Sequence, residues 1–109
     1  MYESITSYLD FFEKNDINET ELQKKAEEFS EKFAQSEFMN PNAMEAMGER
    51  ILASKSSLKA DAPSMTSEEA LVCLSAFVLQ NTFIPGSVPD LIQQGVIPEI
   101  LKRLKELDA

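Results

Sequence analysis

Side chains that commonly catalyse reactions or bind metals are scarce in this sequence of 109 residues, which contains no histidine and one cysteine, Cys73. Histidine is the commonest general base and the commonest metal ligand in proteins, so its absence excludes most acid–base and metal sites. A single thiol without histidine supplies neither a zinc site nor a cysteine–histidine pair. The residue types therefore predict no catalytic residues and no metal site.

Phosphate and cofactor motifs are missing as well. The three glycines, Gly48, Gly86 and Gly95, are too far apart to form a glycine-rich phosphate loop. No serine lies in the pattern that exposes a nucleophile at a sharp strand-to-helix turn. An enzyme that uses carboxylates alone is the remaining catalytic class. We expect a protein that is not an enzyme and that binds no cofactor.

The net charge of −9 arises from 19 acidic and 10 basic residues. Nucleic acids and anionic membranes attract clusters of lysine and arginine, so we expect neither as a partner. A basic protein partner fits this charge, although solubility alone is the simpler explanation.

Location follows from the lone cysteine and from hydropathy. One cysteine forms no disulfide within the chain, which favours a reducing compartment. No signal peptide is visible, and the longest apolar stretch, Ala70–Leu79, is too short to span a bilayer. We therefore expect a cytoplasmic protein, with the nucleus as the alternative.

Apolar residues recur at helical spacing along most of the chain, and no segment alternates as a strand would. The sequence predicts an all-α fold of five to six helices in a compact orthogonal bundle. We expect one domain over residues 1–109, with residues 55–65 as a candidate flexible segment. The predicted helices span about 2–14, 19–37, 41–54 and 67–80, followed by two short helices that begin near Pro89 and Pro98.

Two of the predicted helices have recognisable starts. Asn18 is expected to cap the second helix, and Thr66 with Glu69 forms a capping-box pattern. The helix after Thr66 is apolar on nearly every side, which predicts a central helix covered by others. Cys73 lies within it, so we interpret this cysteine as a buried, unreactive residue. Ile97, Ile100, Leu101, Leu104 and Leu107 are expected to face inward on the last helix.

Three aromatic residues are candidate contacts for a partner protein. Phe11, Phe38 and Phe83 lie off the apolar stripes or at helix ends, where a side chain is more exposed. Packing at the edge of the core is the simpler interpretation of all three.

The segment Leu91–Lys105 resembles an armadillo repeat. In that family a short helix ends in glycine. Three residues follow in order: an apolar residue, then isoleucine or leucine, then proline, which begins an amphipathic helix. Gly95, Val96, Ile97 and Pro98 match this order. Glu69–Phe77 resembles the long third helix of the preceding repeat.

The resemblance implies helical layers in a short right-handed superhelix that binds other proteins. In the family, tryptophan and asparagine side chains one turn apart on the third helix often bind extended peptides. Val72 and Ala76 stand at these places here. They are the partner-binding positions that the resemblance implies, but they lack the tryptophan and asparagine side chains that bind peptides in the family.

Two functions remain open at this point. The first is a protein–protein interaction domain, such as an adaptor, scaffold or regulatory module. The second is an acidic helical inhibitor, such as an immunity protein, an antitoxin or a nucleic-acid mimic, that blocks a basic site. The oligomeric state is open in both. Added salt should lower the partner affinity of an acidic inhibitor steeply and that of an interaction domain with apolar contacts only slightly.

Overall fold

The computed structural model describes residues 2–13, 18–43, 45, 59–84 and 86–108, in which helices and turns occur but no strand. This confirms the all-α prediction for the part of the chain described. The helices are Glu3–Thr6 (α1), Leu9–Phe12 (α2), Glu19–Ala34 (α3), Ser67–Phe83 (α4), Ser87–Gln93 (α5) and Val96–Leu107 (α6), with a 3-10 turn at Ala62–Ser64. Side chains from all of them meet in one core.

The first predicted helix is two short helices, α1 and α2. The Tyr8 N–H bonds to the carbonyl of Ile5 at 3.3 Å, only three residues back, which tightens the chain at this point. The core positions of the predicted stripe are nevertheless buried: Ile5, Leu9 and Phe12 are each at most 5% exposed. Both helices contact α6, so the division allows the short N-terminal segment to follow the surface of that helix.

Helix α3 begins where the sequence predicts and ends early. The Asn18 Oδ1 atom accepts a hydrogen bond from the Glu21 N–H at 2.8 Å. At the other end, the Ser36 hydroxyl donates to the Phe33 carbonyl at 2.7 Å and accepts from the Phe38 N–H at 3.2 Å. These bonds replace helical ones, so the helix ends at Ala34 rather than near residue 37.

Helix α4 is the central helix that its apolar pattern predicts. Its capping box is present: the Thr66 hydroxyl accepts from the Glu69 N–H at 3.1 Å, and the Glu69 carboxylate accepts from the Thr66 N–H at 3.2 Å. The helix contacts α3, α5 and α6. Cys73 is 2% exposed, which confirms that it is buried.

Helices α5 and α6 are joined as the glycine and proline pattern predicts. Gly95 has a φ of +84°, a left-handed conformation that glycine adopts without strain. Val96, Ile97, Ile100, Leu101 and Leu104 are all buried. The inward position predicted for Leu107 is wrong, because this side chain is 39% exposed in the last turn of α6, where fewer neighbours surround a residue.

The candidate flexible segment 55–65 is described only from residue 59. Ala62 and Met65 are buried, and the Arg103 Nε atom donates to the Met65 carbonyl at 2.8 Å. Residues 62–65 therefore pack against α6 and do not form an exposed linker. The helix predicted at 41–54 lies outside the described residues, apart from 41–43 and 45.

Candidate functional site

Phe83 is the one predicted contact residue with a clearly exposed side chain. It is 75% exposed at the end of α4, and the next residue, Ile84, is 56% exposed. The two are called the Phe83–Ile84 patch below. Ile84 was not among the predicted contact residues. It lies in a turn, where helical periodicity does not indicate whether an apolar residue is buried or exposed.

Phe11 and Phe38 are half-buried and pack at the edge of the core. The Phe38 ring lies 5.3 Å from the Tyr2 ring, and the Phe11 ring lies 6.3 Å from that of Phe12, measured between centroids. The Lys25 ammonium lies 5.5 Å from the centroid of Phe11 and covers part of it. These two residues therefore follow the simpler interpretation of edge packing rather than that of exposed anchors.

Val72 and Ala76, the positions implied by the armadillo resemblance, lie on the central helix. Ala76 is 0% exposed, so its side chain does not reach a surface that a partner could contact. Val72 is half-buried and packs against the core. Of the two positions that the resemblance implies, one is therefore in the core and the other at its edge.

A cleft of about 510 Å³ lies between α3 and α5, beside the C-terminal end of α4, and is called the α3–α5 cleft. Its floor is apolar, because Leu22 is 4% and Ala26 2% exposed. Three carboxylates and no lysine or arginine occur among its lining residues. The lining residues are Glu19, Leu22, Gln23, Ala26, Glu27, Asn81, Gly86, Pro89, Asp90 and Gln93.

The carboxylates of the cleft differ in their partners. Both Asp90 carboxylate oxygens accept from the Gln94 side-chain amide at 3.1 Å, which fixes this group on α5. Glu19 and Glu27 lie on α3 and form no ion pair in the described part of the chain. They are eight positions apart in the sequence, a distance of about 12 Å along a helix that rises about 1.5 Å per residue.

Asn81 connects the cleft to the start of α5. Its Oδ1 atom accepts from the Val88 N–H at 3.1 Å and from the Ser87 hydroxyl at 3.5 Å. Gly86 occupies the usual capping position but has no side chain, so Asn81 supplies the cap from α4. Sequence patterns miss such a cap because the capping residue belongs to the preceding helix.

We predict that Asn81→Ala lowers the free energy of unfolding by about 1 kcal/mol, the usual value of a helix cap. Urea denaturation followed by circular dichroism measures this change. Asn81→Asp is the control, since it keeps an oxygen acceptor for the Val88 N–H. Equal losses in the two variants would contradict the capping role.

The opposite side of α3 carries balanced charge. The Lys25 ammonium lies 3.2 Å from the Glu28 carboxylate, and the Lys32 ammonium lies 5.8 Å from the centroid of the Tyr8 ring. Burial raises the pKa of the Tyr8 phenol above its ordinary value of 10.0; Glu28 raises it further and Lys25 lowers it. Burial beside Glu28 thus favours the neutral form of this phenol.

The described residues contain neither a cluster of metal-binding side chains nor a membrane-spanning helix. Within them, no three histidine, cysteine, aspartate or glutamate residues group where a metal ion could bind. None of their helices combines the length and the apolar character needed to cross a membrane.

Comparison with known proteins gives no assignment. No protein-family model matches this sequence, and neither a curated protein nor a solved structure matches it. Its function must therefore be inferred from its own residues and their geometry.

Proposed function

We propose that this chain is a protein–protein interaction domain, an adaptor, scaffold or regulatory module, whose contact surface includes the Phe83–Ile84 patch. The exposure of Phe83 carries this proposal. Burying a large apolar side chain gains about 1.5–3 kcal/mol, and this protein forgoes most of that gain at two successive positions. Three large apolar side chains are exposed in the described residues, and two of them form this patch.

An armadillo-like arrangement of the helices is part of the proposal. It is supported by the left-handed Gly95 between α5 and α6, by Pro98 in the first turn of α6, and by the contacts of α4 with both helices. The contact surface differs from that of the family, because Ala76 is buried. We place the protein in the cytoplasm or nucleus, where its single, buried Cys73 would remain a thiol.

The test replaces both patch residues by serine, in the double variant Phe83→Ser/Ile84→Ser. The wild-type chain should retain a partner in affinity capture, and the double variant should bind the purified partner at least about tenfold more weakly in calorimetry. Its free energy of unfolding should stay within about 0.5 kcal/mol of wild type, since both side chains are exposed.

Leu107→Ser is the matched control, because Leu107 is the third exposed large apolar residue of the described chain and lies in the last turn of α6, outside the patch. It should leave partner affinity unchanged. Wild-type affinity in the double variant, or an equal loss in the control, would contradict a specific role of the patch.

The acidic inhibitor is the second candidate function. It is supported by the net charge of −9 and by the three carboxylates of the α3–α5 cleft. Binding through a broad negative surface should weaken steeply when salt is raised well above about 0.15 M, whereas binding through apolar contacts should change little.

A further inference from the structure

We infer that the α3–α5 cleft binds a basic segment of the partner protein, with two lysine or arginine side chains over the apolar floor and one charged head at each of Glu19 and Glu27. This inference rests on the proposed function, because the Phe83–Ile84 patch would hold apolar residues of the same segment. Phe83 and Ile84 lie in the chain between Asn81 and Gly86, both of which line the cleft.

The shape and lining of the cleft match an amphipathic side chain. Its volume of about 510 Å³ falls in the range of clefts that bind ligand groups. Leu22 and Ala26 form an apolar floor, while the exposed Glu19 and Glu27 border it. Lysine and arginine carry a long aliphatic stem and a charged head, so one side chain can satisfy both surfaces.

The charge distribution on α3 selects a cation as the occupant. On the side away from the cleft, Lys25 pairs with Glu28 at 3.2 Å. On the cleft side, Glu19 and Glu27 have no ion-pair partner among the described residues, and the lining contains no lysine or arginine. The three lysines of α3, Lys24, Lys25 and Lys32, are all absent from the cleft lining, which contains two of the five glutamates of that helix.

A protein segment fits this cleft better than a metal ion or a nucleic acid. The Asp90 carboxylate is bound to Gln94, and the described residues include no three-residue group that could hold a metal. Phosphates would be repelled by the carboxylates.

The spacing of the two glutamates indicates how the basic residues are arranged. Positions about 12 Å apart on α3 match cations four residues apart in an extended segment, which advances about 3.3 Å per residue. A helical segment would instead need a spacing of about eight residues. The extended form fits better, because the short cleft beside the seven-residue α5 leaves little length for a helix.

The probe is a fluorescein-labelled peptide of about 12 residues, in serine and leucine, with two arginines four positions apart. Its matched partner has glutamine at both arginine positions. Fluorescence anisotropy measures affinity, and amide shifts of the ¹⁵N-labelled protein locate the site. The arginine peptide should bind, shift residues 19–27 and 86–93, and lose affinity about fivefold to tenfold in Glu19→Gln/Glu27→Gln, as expected for two surface ion pairs.

The control variant Glu31→Gln/Glu37→Gln removes the same charge from exposed positions outside the cleft lining. It should change the affinity of the arginine peptide less than twofold. An equal loss in both double variants shows attraction to acidic surface in general and overturns the inference, as does equal binding of the glutamine peptide or no binding of the arginine peptide. Partner capture that still depends on Phe83 and Ile84 would then leave the proposed function standing.

Discussion

Replacing Phe29 with alanine should lower the free energy of unfolding by about 3–5 kcal/mol, the usual cost of truncating a fully buried phenylalanine. Phe29 lies in the middle of α3 and is 0% exposed. Its ring centroid lies 5.7 Å from those of both Tyr8 and Phe12 and 6.0 Å from that of Phe33. Alanine would remove all three aromatic contacts and leave a cavity between α3 and α2.

Urea denaturation monitored by circular dichroism measures this loss. Domains of this size are stable by about 5–15 kcal/mol, so Phe29→Ala should move the midpoint far or leave the chain partly unfolded. Phe29→Leu keeps the site largely filled and should cost about 1–2 kcal/mol, which remains measurable in either case. A loss below about 1 kcal/mol in Phe29→Ala would show that the aromatic cluster does not support the fold.

Helix starts could be predicted here because their signals are local. The Asn18 cap and the capping box of Thr66 and Glu69 involve side chains within three residues of the backbone groups they satisfy. Gly95 likewise marks a helix junction through its own backbone conformation. Each signal depends on a few neighbouring residues, so the sequence contains all of it.

Helix interruptions and ends were harder to predict, since competing hydrogen bonds decide them. The apolar stripe through Tyr8 continues across the break between α1 and α2, so periodicity alone shows one helix. At the end of α3, the Ser36 hydroxyl bonds to the Phe33 carbonyl and the Phe38 N–H in place of helical backbone bonds. Not every serine near a helix end competes in this way. The outcome depends on tertiary packing at both places.

The binding positions expected on α4 illustrate a conflict within the sequence itself. The all-round apolar pattern predicts a covered helix, whereas the armadillo resemblance implies that Val72 and Ala76 face a partner. The buried Ala76 follows the apolar pattern. Burial driven by the hydrophobic effect acts on this chain's own residues, so it takes precedence over a resemblance of spacing.

The α3–α5 cleft could not be found from the sequence, because Glu27 and Asp90 are 63 positions apart in numbering. Each is an ordinary surface carboxylate in its own helix. Only the packing of α3 against α5 places them around one apolar floor. Phe83 could be identified in advance because its position at a helix end is a local property.

Ser75→Ala should lower the free energy of unfolding by about 1–3 kcal/mol, because it removes the acceptor of a partly buried N–H. Ser75 is 0% exposed in α4. Its hydroxyl donates to the Leu71 carbonyl at 2.8 Å and accepts from the Asn40 N–H at 3.0 Å. This second bond joins the central helix to the chain that follows α3, so its loss should also speed hydrogen exchange of the Asn40 amide.

Ser30→Ala is the matched control for this prediction. The Ser30 hydroxyl oxygen is also buried, but it has no hydrogen-bond partner among the described residues. Its removal should therefore be neutral or slightly stabilising, since alanine is the better helix former and no bonded group loses a partner. A clear loss in Ser75→Ala beside no loss in Ser30→Ala would assign the difference to the hydrogen bonds of the Ser75 hydroxyl, and faster exchange of the Asn40 amide would identify the bond with Asn40 among them. Equal changes would mean that the two hydroxyls act only through the space they fill.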